Sequence, residues 1–113
     1  MHQCREINLR PLTLDHAEAA AALIRIAFAA QSVATAPPPS ALMETATRVA
    51  NSLTAAGQGG FAAWDGATMA GCVLWQNQAR GLYLGRLAVH PQQRGRGIAP
   101  ALVAAAEAQN GMV

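Results

Sequence analysis

Two arginines and two glycines alternate late in the chain, Arg94-Gly95-Arg96-Gly97, and residues of these types at this spacing can bind phosphate. Glycine has no Cβ, so Gly95 and Gly97 can adopt positive φ and let a bulky pyrophosphate approach the backbone. Arginine offers planar, bidentate donors to phosphate oxygens. Before the loop, an apolar run containing Tyr83, Leu84, Leu87, Ala88 and Val89 stops at His90-Pro91; after it, a helix-forming run extends from Ile98 to Ala108. A strand, a glycine loop and a helix start together present backbone N–H groups and the positive end of a helix to an anion. The first N–H groups of a helix lack intrahelical partners and act as roughly half a positive charge. Pro91 withholds a strand donor and ends the ladder where the loop begins. Pro100 falls in the first turn of the expected helix, where a missing N–H is tolerated, and removes one donor near the phosphates. Two glycines one residue apart mark an ordinary turn as readily. Their register between strand and helix is what points to phosphate.

The charge distribution supports the same reading. The 113 residues carry a net charge of +2, too mild for nucleic acid to be the main partner. Between Asp65 and Glu107 no acidic residue occurs, while Arg80, Arg86, Arg94 and Arg96 all lie there. A local basic field of this kind suits an anionic cofactor. The chain is 52% hydrophobic and 12% charged, which argues against disorder and for one domain with one core. Alanine makes up roughly a quarter of it and every basic residue is arginine, which reads as compositional bias. Cys4 and Cys72 are too few and too far apart for a disulfide framework or a zinc site, and Cys72 reads as a buried thiol. No metal is expected. The N-terminus has no apolar core for a signal peptide and no run approaches the length that crosses a membrane, so a cytoplasmic protein without membrane partners is expected.

The elements that must position the loop can be read upstream of it. Ile7-Asn8-Leu9-Arg10 alternates as a short strand ended by Pro11. Asp15 and Glu18 have the spacing of a capping box, with Leu14 as its staple. The helix they open presents Leu23, Ile24, Ala27 and Phe28 on one face and runs to about Ala30. Ala36-Pro37-Pro38-Pro39 is a stiff connector. Ser40 is expected to cap a second helix with Leu42, Met43, Ala46, Val49, Ala50 and Leu53 on its apolar side, ending near Gly57, with Gly59-Gly60 breaking periodicity. Phe61 to Trp64 and Thr68 to Trp75 form a hairpin with Asp65-Gly66 as its turn signal. Gly71 within it marks a bulge or a close backbone approach. Asn77-Gln78-Ala79 then leads into the loop's own strand near Gly81.

Gln92-Gln93-Arg94-Gly95-Arg96-Gly97 resembles the Q/R-x-x-G-x-G/A pyrophosphate loop of the GNAT superfamily of acyl-CoA N-acyltransferases. Arg86-Leu87-Ala88-Val89-His90-Pro91 resembles that family's fourth strand with its L-x-V-x-P ending. The resemblance implies one domain over 1–113 of the α/β class (α+β type), ordered β-α-α-β-β-β-α, with a mixed, mostly antiparallel sheet flanked by helices. It implies acetyl-CoA as cosubstrate, its pyrophosphate on the N–H groups of Arg94, Gly95, Arg96, Gly97, Ile98 and Ala99. It further implies a pantetheine arm paired along Leu87, Ala88 and Val89, the Val89 N–H serving as donor to the acetyl carbonyl. The activity implied is acetyl transfer to a primary amine, on a small molecule or a protein.

Family members continue past the third helix with a strand, a helix and two further strands, so the resemblance also implies a chain truncated at the C-terminus. Its loop strand would then be an exposed apolar edge, open to pairing with a second copy. The catalytic residues stay unassigned. Amine acetylation needs a base or a water path, but Glu107 reads as solvated, His90 as a loop residue, His16 as surface and His2 as disordered. Tyr83 lies on the wrong element for the family's tyrosine acid. Trp64 and Trp75 read as core or hairpin residues. An alternative to the enzyme is a catalytically reduced module that binds coenzyme A or oligomerises.

Overall fold

A computed structural model describes residues 7–31, 45–78 and 81–109. The described elements are β1 (Ile7–Pro11), α1 (Ala17–Gln31), α2 (Ala46–Thr54), β2 (Gln58–Asp65), β3 (Thr68–Gln78), β4 (Gly81–Val89) and α3 (Ile98–Gln109). The strands form one sheet in the order β1-β2-β3-β4, every neighbouring pair antiparallel. This is the expected order of elements. Helices cover both faces, and the core divides accordingly. On one face α1 and α2 bury Leu23, Ile24, Ala27 and Val49 against Ala62, Cys72, Leu74 and Ala88. On the other, α3 buries Ile98, Leu102 and Ala106 against Ala63, Ala70 and Val73.

Local chemistry explains most boundaries and corrects several expectations. The expected α1 stripe is buried, Phe28 packing at its edge, but the capping box does not form. Asp15 lies in a 3₁₀ turn, Leu14–His16, entered from an extended Thr13, and Leu14 is 54% exposed, so it staples nothing. Thr13 Oγ1 instead meets His16 Nδ1 at 3.2 Å. At α2, the extended residue is Thr45, whose side chain accepts from the Arg48 N–H. A continuous helix from Ser40 is thereby excluded; Ser40, Leu42, Met43 and the proline tract lie outside the described residues. Gly59 and Gly60, expected as breakers, open β2. The hairpin turn sits one residue later than its signal, with Asp65 pairing Thr68 and Gly66-Ala67 as the two-residue loop. Gly66 alone there has positive φ, +64°, as a turn with glycine at the first central position requires.

Two irregularities shape the sheet near the loop. Ala63 pairs with Gly71 but Trp64 with Met69, leaving Ala70 as an extra residue beside the glycine singled out in sequence. A Cβ on Gly71 would lie 2.8 Å from Ile98 Cγ2 and 3.1 Å from the Ala88 carbonyl, so α3 sits on the sheet at a distance that only glycine permits. In β4, Cys72 pairs with Ala88 and Leu74 with Gly85, so Arg86 and Leu87 together face Val73. This is a β-bulge, with Arg86 at φ +52°, the one non-glycine residue of positive φ described. The extra residue reverses the strand's alternation. Leu84 packs on the α3 side, yet Ala88, also even-numbered, is buried on the α1 and α2 side.

Candidate functional site

The loop after β4 is held from both ends. His90 closes the strand by donating its amide to the Ala70 carbonyl (2.8 Å), and its Nδ1 accepts from the Gln92 N–H (3.1 Å), capping the 3₁₀ turn Pro91–Gln93. Its ring is therefore a local structural element, as its loop reading anticipated. The first hydrogen bond of α3 runs from the Ala101 amide to the Gly97 carbonyl (3.3 Å), so the Ile98 and Ala99 amides precede the helical ladder. Gly95 and Gly97 have φ of +85° and +73°, and a Cβ on either would meet nothing within 4 Å. They are required by conformation, with open space in front of them.

Of the nine residues singled out in sequence, Leu87, Val89, Arg94, Gly95, Gly97, Ile98 and Ala99 line one open cleft of about 310 Å³, together with Gln93 and Pro100. Ala88 and Arg96 do not. Ala88 is the buried member of its strand, 3% exposed. The Arg96 guanidinium spans Asp65 Oδ2 (3.0 Å) and Gln93 Oε1 (2.6 Å), tying the loop to the β2–β3 hairpin. Arg94 lines the cleft and also reaches the Ala27 carbonyl at 3.5 Å, a long bond that leans it towards α1.

The edge of β4 completes this cleft. Antiparallel pairing alternates residues whose amides face the partner with residues whose amides face away. Because the His90 amide faces β3, the Ala88 amide does too, and the N–H and C=O of Val89 face outward. No other described strand lies there. An extended ligand can pair with that edge while its anionic end meets the amides at the start of α3.

A second cleft, about 370 Å³, opens where β4 enters the bulge. Arg48 and Ser52 of α2, Trp75 and Gln76 of β3, and Tyr83 and Arg86 of β4 are among its walls. Arg86 Nη1 donates to Ser52 Oγ at 2.8 Å. The Tyr83 ring, which the sequence placed on the wrong element for a tyrosine acid, lies along the strand over Gly85, within 3.2 Å of where a Cβ would stand. Sequence reading did not find this cleft. Its one signal was the surplus of arginine, because the lining comes from four separate elements. Glu107 is exposed, His16 packs edge-on against Trp64 with ring centroids 4.8 Å apart, and Cys72 is buried. Among the described residues, no group of three or more His, Cys, Asp or Glu could hold a metal ion, and no helix is long and apolar enough to cross a membrane.

A four-stranded antiparallel sheet that ends in a glycine loop and a helix start, with one strand edge open, is an architecture for an extended ligand with an anionic end. Residues 22–109 match the acetyltransferase (GNAT) family, and the chain belongs to it. Among solved structures, PaiA N-acetyltransferase from Thermoplasma acidophilum, in complex with coenzyme A, superposes with a TM-score of 0.81 at 16% identity, over 95% of this chain and 75% of that one. A GNAT family acetyltransferase from Brucella melitensis, in complex with acetyl-CoA, gives 0.69 at 19% identity, over 94% and 69%. The ribosomal-protein-alanine N-acetyltransferase of Brucella melitensis biovar Abortus gives 0.66 at 20% identity, over 93% and 73%. No match is found among curated proteins.

Proposed function

We propose that the chain binds acetyl-CoA in the smaller cleft and transfers its acetyl group to a primary amine. The observation that carries this reading is the outward-facing amide and carbonyl of Val89, in line with the amides that open α3. The pyrophosphate lies on the amides from Arg94 to Ala99, where Gly95 and Gly97 leave room. The pantetheine arm follows the free edge through Leu87 to Val89, and the Val89 N–H donates to the acetyl carbonyl as negative charge develops there. Relatives of the same fold crystallised with coenzyme A or acetyl-CoA support the choice of cosubstrate. Attack requires a neutral amine, so its ammonium form gives up a proton before the carbonyl is reached. Calorimetric titration of the purified chain with acetyl-CoA tests the reading: saturable one-to-one binding is expected, and no heat at millimolar ligand would end it.

A second reading rests on the same edge. Tyr83 is 58% exposed and Leu87 37%, on a strand with no described neighbour beyond it. An edge of this kind can pair with a second copy, giving a module that binds coenzyme A or assembles without transferring acetyl groups. The two uses compete for the same backbone groups. Light scattering after size exclusion separates them: a dimer that acetyl-CoA dissociates supports edge pairing, and a monomer at all concentrations removes it.

A further inference from the structure

Gln93 lines the smaller cleft beside Arg94, Gly95, Gly97 and Pro100, and it is fixed through both its backbone and its side chain. Its backbone amide donates to the His90 carbonyl at 2.8 Å, closing the 3₁₀ turn Pro91–Gln93. Its side-chain Oε1 accepts from Arg96 Nη1 at 2.6 Å, and the same Nη1 donates to Oδ2 of the buried Asp65 at 3.0 Å. Arginine has no acceptor, so the oxygen end of the carboxamide is the end that faces it. Arg96 is outside the lining of the cleft, which leaves the nitrogen end of Gln93 for the cleft itself. That nitrogen carries two N–H donors and has no hydrogen-bond partner among the described residues. The helix side of the same cleft is short of a donor. Ile98, Ala99 and Pro100 stand ahead of the first helical bond of α3, which starts at the Ala101 amide. Ile98 and Ala99 bring an N–H there, and Pro100 brings none.

We infer that the Gln93 side-chain nitrogen donates to a pyrophosphate oxygen of the cosubstrate, in place of the donor that Pro100 withholds, and that Asp65 and Arg96 hold the carboxamide in the orientation this needs. The inference rests on the acetyl-CoA reading above and extends it from the backbone of the loop to one side chain. A hydrogen bond to an ionised oxygen is about twice as strong as one between neutral groups. A mobile glutamine loses part of that gain by giving up its rotamers on binding. The bond to Arg96 fixes the carboxamide beforehand, so little of that loss remains. Gln93 is then the residue that touches the ligand, and Arg96 a positioning residue that acts through it. A guanidinium turned out of the cleft still serves the phosphates, because it sets which end of the neighbouring amide meets them.

Calorimetry with acetyl-CoA, coenzyme A and dephospho-coenzyme A, together with thermal melts, tests this on the whole chain. Gln93→Met, close in size and without a donor, is expected to weaken acetyl-CoA about tenfold, the difference one hydrogen bond to a charged group makes. Gln93→Glu separates binding from structure, because a carboxylate still accepts from Arg96 but meets the phosphates with negative charge. It is expected to keep the melting temperature of the parent or raise it, and to weaken acetyl-CoA about thirtyfold. Arg96→Met should cost no more affinity than Gln93→Met, and nothing further when added to it, since the carboxamide it positions is then gone. The losses should be equal for coenzyme A and for dephospho-coenzyme A, which keeps the pyrophosphate and lacks the 3′-phosphate. Either Gln93 variant binding as tightly as the parent would overturn the proposal, as would a loss confined to ligands that carry the 3′-phosphate. Full additivity of Arg96→Met and Gln93→Met would remove the positioning role. A parent that binds none of the three ligands ends the acetyl-CoA reading and this one with it, whereas a parent that binds while the Gln93 variants match it ends this one alone.

Discussion

The two clefts that meet on β4 differ in how they are assembled. The residues that line the smaller all fall within one stretch of chain, Leu87 to Pro100. The larger collects residues from α2, β2, β3 and β4. In the first, geometry is set by the local conformation of Gly95 and Gly97 and by the start of α3. In the second, it depends on α2 being packed where Ser52 meets Arg86. A contiguous site carries its own geometry, whereas a collected one inherits it from the core. Damage to the loop should therefore abolish binding without unfolding the chain, and damage to the supports should change stability first.

The largest effect is expected from Gly95→Val or Gly97→Val. A β-branched residue is strongly disfavoured at φ near +80°, so the amides turn away. Acetyl-CoA affinity should fall about a hundredfold or more, equivalent to roughly 2.7 kcal/mol, with a melting temperature close to that of the parent. Calorimetry with a thermal melt checks both, and unchanged affinity in the two variants would remove the pyrophosphate assignment. Next comes the support of the loop. Leu102 of α3 is fully buried against the sheet, and Leu102→Ala should cost about 2–5 kcal/mol in denaturant unfolding. The acetyl-CoA affinity of the folded fraction should be largely kept.

Arg96→Met sharpens the comparison further, because the structure uses this side chain as a tie. Its partner Asp65 is 8% exposed, and leaving it without the guanidinium should cost about 1–3 kcal/mol in unfolding free energy. Acetyl-CoA affinity should change less than in the glycine variants; a hundredfold loss with unchanged stability would make Arg96 a phosphate ligand after all. The smallest effect on stability is expected from Arg86→Gly. Relief of the left-handed conformation, about 1–2 kcal/mol, offsets the lost bond to Ser52, about 0.5–1.5 kcal/mol, and glycine's extra chain entropy, about 0.5–1 kcal/mol. The melting temperature should barely move.

What was legible in the sequence follows the same division. The order of elements along the chain, the α1 stripe and the glycine loop are properties of adjacent residues, and local pattern reports them. The errors came where competing signals were equal locally. Asp15 was expected to cap the first helix, but the chain enters that turn from an extended Thr13; the cap described for α2 is Thr45, while Ser40 lies outside the described residues. Gly66 serves as the first loop residue of its turn instead of the second, because Asp65 is drawn into the strand to meet Thr68, and its carboxylate is then held by Arg96. The larger cleft had no local signature. Arg48 and Arg86 lie far apart in sequence, and only the stacking of α2 on the sheet joins them.

The bulge gives β4 the equivalent of two reading frames. Before Arg86 one parity of residue number faces α3; after Leu87 the other does. Losing one of the two residues that oppose Val73 would straighten the strand and leave every face beyond it in place, because Ala88 would still pair with Cys72 on the α1 side. Losing both would set Ala88 opposite Val73, turn it from α1 towards α3, and send the glycine loop off from the wrong side. A deletion of one residue here should therefore be milder than a deletion of two, a rule set by geometry that no single side chain reveals.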